Sequence, residues 1–313
     1  MVTIKKIEIK GFFGKGDFEW NLNPVVNILG GKNGSGKSTI FKFCYTLLST
    51  DKIADAYEKE IKKVFREVAL TFSNDWKLTW SSNREQDSVV LSMDGGVPKP
   101  FRMNTIVEDE TGNIRDYSEL KEQINAYLIN SFEQHLSKAT QYSQQPHSQP
   151  LNDPTMLDLM IKDQIDLRNK YFTKAMEESI DDSEEAEKKR KEYVAIYKKT
   201  YKVLEHFLKE YNKPFNSTFE FSKNGEKFGY DHLSMGEKQM LLLILMVGNN
   251  NQEPCIFFMD EPDLSMHIDW KEQLVTQLHE MNPNMQIILS THAPSVITGW
   301  MDCVNEVSQL IKE

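Results

Sequence analysis

Four groups of residues in this 313-residue chain have types and spacings that could handle a phosphate ester. The first is Gly30-Gly31-Lys32-Asn33-Gly34-Ser35-Gly36-Lys37-Ser38-Thr39, which contains G-x-x-x-x-G-K-S from Gly31 to Ser38. Glycines let successive backbone N–H groups turn inward around anionic oxygens, and a helix that starts there points its positive end at the same place. In such a cradle Lys37 reaches the β- and γ-phosphates, and the Ser38 hydroxyl sits on Mg²⁺. The second group is Asp260-Glu261-Pro262, directly after the apolar run Cys255 to Met259. A carboxylate at a strand's C-terminal edge is where Mg²⁺ would be held, and Glu261 could polarise a water for attack on the γ-phosphate. The third is His292, which follows the apolar Ile287-Ile288-Leu289 and could hydrogen-bond the γ-phosphate. The fourth is Ser234-Met235-Gly236-Glu237, where a hydroxyl and an unobstructed N–H at a helix start make a second anion site. Taken singly, the last three have ordinary structural readings: acids after an apolar run, a structural histidine, and a helix cap with an acidic first turn.

The elements that must position these groups are legible around them. Val25 to Leu29 reads as a buried strand ending at the phosphate loop, and Thr39 to Leu48 as the helix after it. Residues 2–29 predict strands around a turn at 11–14. Val68 to Phe72, Lys77 to Trp80 and Ser88 to Met93, with a turn at Asp94-Gly95-Gly96, predict a β-rich lobe. From Tyr117 to about Tyr211 the pattern is helical and highly charged. It breaks at 144–150, and Asp153-Pro154 reads as the cap and first position of a new helix. Tyr193, Ile196/Tyr197, Tyr201, Leu204, Phe207/Leu208 and Tyr211 recur at near-heptad spacing. They predict a helical hairpin packed on itself or on the body, or a lid or partner-docking arm. Strands return at Thr218 to Phe221 and Lys227 to Tyr230, followed by a buried apolar helix over Met240 to Val247. The chain divides on this pattern into 1–116, a helical insertion over 117–213, and 214–313.

Composition narrows the function classes. A net charge of −10 argues against a protein that coats nucleic acid through clustered Lys and Arg. Residues 158–213 carry 13 basic and 13 acidic side chains, so the arm has no net charge for a phosphate backbone. The run Lys188-Lys189-Arg190-Lys191 follows several acids and reads as a solvated helix face. No apolar run approaches a membrane span, and the start lacks the apolar stretch of a signal peptide. Cys44, Cys255 and Cys303 have neither metal spacing nor the makings of a disulfide framework. Together these predict a cytoplasmic protein with no membrane partner.

Order and spacing bind the four groups into one pattern. Asp260 lies 24 residues past Gly236, and His292 lies 32 residues past Asp260. Phosphate loop, S-x-G-E, D-E-P and strand-end histidine follow in the order found in ABC-type ATPases. The chain resembles the branch of that family containing the RecF, SMC and OLD proteins, over roughly residues 1–115 and 214–300. The resemblance implies an α/β P-loop NTPase of ABC type with an antiparallel β lobe and a helical insertion, binding ATP and Mg²⁺. Gly31, Asn33, Gly34, Ser35, Gly36, Lys37, Ser38 and Thr39 would form the Walker A loop, and Ser234, Gly236 and Glu237 the signature motif. Asp260 would be the metal-holding Walker B residue alongside Ser38, Glu261 the catalytic base, and His292 the switch histidine, with Lys37 at the phosphates. It further implies a homodimer or higher oligomer, the signature of one copy closing over ATP held by the other. His267 stands where transporter subunits usually carry an aspartate, as in the OLD-type variant. A Q-loop glutamine is not identified, although Gln141, Gln144 and Gln145 lie near its expected place. Phe12 or Phe13 is the aromatic available for the adenine.

Only about twenty residues follow His292, too few for the acidic metal cluster of an OLD-type nuclease. The architecture resembles the stand-alone ATPase components of anti-phage systems such as Septu, retron-linked pairs and PARIS. The resulting expectation is an Mg²⁺-dependent ATPase that regulates a separate effector, a nuclease or toxin. A RecF-like DNA-repair or chromosome-maintenance ATPase and a non-hydrolytic ATP-gated scaffold are the alternatives, and DNA stays open as a partner.

Overall fold

A computed structural model describes residues 2–49, 64–82, 105–130, 155–177, 183–209 and 219–312. In chain order, strands β1 (Ile4–Lys10) and β2 (Asp17–Asn21) form a hairpin, and β3 (Val26–Gly30) runs into helix α1 (Lys37–Leu48). Then come β4 (Glu67–Phe72), β5 (Lys77–Ser81), β6 (Thr105–Glu108), β7 (Ile114–Arg115), the short α2 (Tyr117–Lys121) and β8 (Ala126–Asn130). Two long helices follow, α3 (Met156–Glu177) and α4 (Glu184–Lys209), then the small hairpin β9 (Phe221–Lys223) and β10 (Glu226–Phe228). The chain ends with α5 (Met235–Asn249), β11 (Cys255–Asp260), α6 (Ile268–Met281), β12 (Met285–Ser290), β13 (Val304–Glu306), α7 (Val307–Leu310) and β14 (Ile311–Lys312).

These strands build a five-stranded parallel sheet, ordered β13-β3-β12-β11-β8, and a seven-stranded antiparallel sheet, ordered β14-β2-β1-β4-β5-β6-β7. The parallel sheet is apolar on both faces, as a sheet covered on both sides must be. Along β11 the side chains alternate between two cores. Cys255, Phe257 and Met259 join a core built with α3, α4, α5 and α6, whereas Ile256 and Phe258 face α1 and the antiparallel sheet. Phe41 of α1 sits 5.9 Å from the Phe258 ring. Gln286, fully buried on β12, stitches the sheets together. Its Oε1 accepts the Ile4 N–H at 2.8 Å, and its Nε2 donates to the carbonyls of Ile4 and Asn23, each at 2.8 Å.

The expectation of helix from residue 117 onward is corrected over 126–130. Ala126 to Asn130 form β8, hydrogen-bonded in parallel to β11, so the boundary drawn at 116/117 falls ahead of a strand of the central sheet. Pairing to a buried neighbour decides the conformation of this short half-buried edge segment, a tertiary effect that outweighs local pattern. β13 and β14 were not anticipated, and β10 ends at Phe228 because Tyr230–His232 form a 3₁₀ turn. The strand at 88–93, the turn at 94–96, the break at 144–150, the cap at 153–154, Tyr211 and the three candidate Q-loop glutamines lie outside the described residues.

Helices α3 and α4 pack on the body through α5. Val203, Leu204, Phe207 and Leu208 of α4 are buried in the core, with Phe207 edge-on to Trp270 of α6. At the start of α5, Lys238 and Asp158 form a buried ion pair of 2.6 Å, and the Thr155 N–H and hydroxyl also donate to Asp158. At its end, Asn249 donates to the Gln164 carbonyl and accepts from Arg168, whose guanidinium lies 4.2 Å over the Tyr197 ring.

Burial raises the Asp158 carboxyl's pKa, but the bonds from Lys238 and Thr155 together outweigh it and hold it below its ordinary value. A depressed carboxyl pKa contributes stability that is complete above the unfolded value of about 3.9 and lost as pH falls through the folded one. Lys238→Met strands Asp158 in an apolar site and is expected to destabilise the chain by about 3–5 kcal/mol at neutral pH. The double variant Lys238→Met/Asp158→Leu is expected to recover most of that loss. Urea unfolding of both variants at pH 7 and pH 3 checks this; equal loss in the two variants at pH 7 would refute it.

Candidate active site

The C-terminal edge of the parallel sheet is where the candidate residues meet. The phosphate loop leaves β3, the Asp260-Glu261 pair leaves β11, and His292 follows β12, the strand between those two. Loop glycines take left-handed backbone angles, with φ of 147° at Gly31, 75° at Gly34 and 99° at Gly36. Gly36 needs to be glycine for a second reason. A Cβ there would lie 2.6 Å from the Phe13 ring and 2.9 Å from that of Phe12. Asn33 and Gly34 form the exposed tip of the loop, while Ser35 donates its N–H to the Lys32 carbonyl at 3.1 Å. The Ser35 hydroxyl is buried with no hydrogen-bond partner, an orphaned polar atom inside the cradle. Ser38 and Thr39 lie in the first turn of α1, with Ser38 exposed.

Lys37 is buried, and its ammonium donates to the carbonyls of Gly31 at 2.8 Å and Lys32 at 3.3 Å. Burial lowers its pKa against the opposing pull of Glu261, Asp260 and Glu306. The Lys37 Nζ also lies 3.0 Å from His292 Nε2, and the same ring nitrogen is 3.4 Å from Glu261 Oε1. Lys37 and Glu261 therefore meet through the His292 ring.

Asp260 is buried at the end of β11, where its Oδ1 accepts from the Ser290 hydroxyl at 2.6 Å. Glu261 has a φ of 48°, left-handed for a residue with a side chain. Beyond it, Asp263 accepts from Thr291 Oγ1 at 2.9 Å and pairs with Lys271 at 3.1 Å, tying the segment after β11 to the segment after β12. The Asp260 carboxylate and the exposed Ser38 hydroxyl are hard oxygen donors of the kind Mg²⁺ takes, and would be the groups to hold it.

The signature group occupies the start of α5. Glu237 Oε2 accepts the Ser234 N–H at 2.8 Å and the Ser234 hydroxyl at 2.5 Å, which fixes the helix start. Gly236 is buried, and any Cβ would collide with the carbonyl oxygen of Ser265. Helix α5 belongs to the core on one face of the parallel sheet, and α1 to the core on the other. Nearby, Leu264 and Ile268 are exposed, and His267 caps α6 by accepting the Asp269 N–H at 3.4 Å.

Of the two aromatics considered for adenine, Phe12 is buried in a stack with Phe18 and Phe65. Phe13 is 38% exposed beside Gly36, with a φ of 47°. Ser290, Thr291, Asp263 and Glu306 were missed. Their signal is faint: Ser290, Thr291 and Glu306 stand at or just past strand ends and Asp263 three residues beyond one, and they acquire meaning only when strand pairing sets those ends side by side.

Comparison with known proteins agrees with this geometry. Over 87 residues the chain is 38% identical to the retron Vc95 probable ATPase of Vibrio cholerae serotype O1 biovar El Tor, covering 24% of this chain and 17% of that protein. Over 85 residues it is 32% identical to the retron Ec83 probable ATPase of Escherichia coli, covering 24% and 16%. The matched segment thus spans about one sixth of these relatives. The fold is similar to that of an Smc head solved bound to the C-winged helix domain of ScpA, at 15% identity and a TM-score of 0.57, covering 95% of this chain and 91% of that one. An Smc head with an extended coiled coil, bound to the C-terminal domain of ScpA derived from Pyrococcus furiosus, gives 13% identity and a TM-score of 0.55, covering 98% and 93%. No helix among the described residues is long and apolar enough to cross a membrane. The match over residues 26–298 shows that the chain belongs to the family described as "AAA domain, putative AbiEii toxin, Type IV TA system", built here on an ABC-type P-loop ATPase fold of the SMC-head kind.

Proposed function

We propose that the chain is an Mg²⁺-dependent ATPase whose copies close head to tail around ATP, and that this closure regulates a separate effector polypeptide, a nuclease or toxin, in anti-phage defence. The observation that carries the reading is the contact of Lys37, His292 and Glu261 at one sheet edge, with the signature helix α5 packed on the face opposite α1. A signature on that opposite face is poorly placed to cover its own phosphate loop and well placed to cover a neighbour's. The exposed Leu264 and Ile268 beside it supply apolar surface for such a contact. The defence role rests on the retron-associated relatives, which match only a quarter of this chain.

Within this reading, the loop N–H groups, the start of α1 and the orphaned Ser35 hydroxyl receive phosphate oxygens, and Lys37 faces the β- and γ-phosphates. Phe13 offers its exposed ring to the adenine. Ser38 and Asp260 hold Mg²⁺, which when bound neutralises phosphate charge and leaves the γ-phosphorus open to attack. Glu261 accepts a proton from the attacking water, and His292 bridges Glu261 and Lys37. The helical insertion, of which α3 and α4 are described, is the surface offered to the effector.

Glu261→Gln keeps size and polarity but removes the base. Phosphate release is expected to fall by about 10²–10⁴-fold, with the ATP-dependent dimer retained or strengthened in native mass measurements. An unchanged rate would move the base elsewhere, and negligible turnover in the unmodified chain would favour an ATP-gated scaffold. Sharing of the site between copies has its own test. Lys37→Ala and Ser234→Arg chains are each expected to lose the ATP-dependent dimer, while an equimolar mixture regains it, because one intact composite site forms in the heterodimer. A mixture that stays monomeric with ATP would sink the head-to-tail arrangement.

A further inference from the structure

Ser290 is completely buried, yet it closes a strand whose preceding residues Ile287, Ile288 and Leu289 are all apolar. Parallel pairing places it directly beside Asp260. Its hydroxyl lies 2.6 Å from Asp260 Oδ1 and 3.2 Å from the backbone nitrogen of Glu261, whose N–H also reaches the Ser290 carbonyl at 3.1 Å. The direction of these bonds is forced. An ionised carboxylate can only accept and a backbone N–H can only donate, so the hydroxyl donates to Asp260 and accepts from Glu261. One oxygen atom thus joins the side chain of one acid to the backbone of the next.

We propose that Ser290 is a positioning residue for metal-dependent turnover. It orients the Asp260 carboxylate toward the metal and holds Glu261 in the left-handed conformation that aims its carboxylate at His292. The proposal rests on the roles given above to Asp260 and Glu261. Two features separate it from the plain filling of a buried polar site. The short O–H···O⁻ contact is charge-assisted and directional, and so restricts rotation of the carboxylate. The φ of 48° at Glu261 is unfavourable for a side-chain-bearing residue and persists only where its surroundings impose it, here through two acceptors on one residue.

The test uses the full chain with substitutions at Ser290 and Asp260 and reads thermal unfolding, phosphate release against Mg²⁺ concentration, and binding of a fluorescent ATP analogue with Mg²⁺ or with EDTA. Ser290→Ala is expected to raise the Mg²⁺ concentration for half-maximal analogue binding by about 10–100-fold, as loss of a ligand-orienting partner does. Metal-free analogue binding is expected to stay within about twofold of wild type by the same reasoning. Ser290→Thr, which keeps the hydroxyl, is expected to restore the Mg²⁺ profile. If Ser290→Ala fails to fold, Ser290→Cys carries the same readout, since its volume is close and its S–H is a weak donor. A folded Ala or Cys variant with the wild-type Mg²⁺ profile would overturn the proposal, as would equal loss of metal-free and Mg²⁺-dependent binding. Asp260→Ala separates the two levels. If it leaves the Mg²⁺ enhancement of analogue binding intact, the assignment of Asp260 fails, whatever Ser290 does.

Discussion

The parallel sheet has no wet face, and that constraint decides where chemistry can occur. With apolar cores on both sides, a polar side chain on β3, β11 or β12 has to be fully bonded, as Gln286 is, or sit at a strand end. Gly30, Asp260, Ser290 and Glu306 all lie at the C-terminal ends of their strands, as two registered pairs, Asp260–Ser290 and Glu306–Gly30, offset by one residue where Ser290 faces Leu29. Parallel strands bring those ends to one edge, so groups separated by more than two hundred residues of chain become neighbours. Antiparallel pairing would have sent alternate ends to opposite edges. The geometry of the candidate site is thus a consequence of strand direction before any individual side chain is considered.

At that edge, close approach and backbone strain replace bulk. The rings of Phe12 and Phe13 lie where a side chain on Gly36 would be, so the start of α1 is walled on one side by aromatic carbon. Burial of Lys37 there weakens the preference for its charged form, and three carboxylates offset that only in part. Phe13 and Glu261 both hold left-handed backbone angles that cost non-glycine residues of order 1–3 kcal/mol. Both stand next to the phosphate loop or its partner groups. Strain of this kind survives because the surrounding hydrogen bonds and packing leave each segment no alternative path.

The sequence made some of this legible and concealed the rest for identifiable reasons. Val25 to Leu29, Cys255 to Met259 and Ile287 to Leu289 are largely apolar runs, the first followed at once by glycine, the second by charge and the third by Ser290-Thr291-His292. A strand buried on both faces looks like that and little else does at such lengths. The phosphate loop carries its own glycine spacing. By contrast, Ala126 to Asn130 is five residues at a sheet edge with only Ile129 and Asn130 buried, inside a highly charged stretch. Nothing local distinguishes it from the helices on either side. Val304 to Glu306 and Ile311 to Lys312 are shorter still, and their pairing partners are hundreds of residues away. Ser290 was invisible for another reason. A serine before Thr291 and His292 has no meaning until β11 is laid beside it.

Helix α5 joins the candidate site to the helical insertion. Its first turn holds Ser234, Gly236 and Glu237, and the next residue, Lys238, is locked to Asp158 of α3. Its last turn meets Thr200 where Gly248 leaves no room for a side chain, and bonds to Gln164 and Arg168 through Asn249. Moving α5 without α3 would separate a buried ion pair, at a cost of about 3–5 kcal/mol. Sliding it against α4 would pull Gly248 from Thr200 and open a gap in close-packed interior. Rigid-body displacement of all three helices breaks neither contact. Ser234 and Gly236 are therefore built into one packed unit with α3 and α4, whose outer surfaces expose Phe172 and Val194.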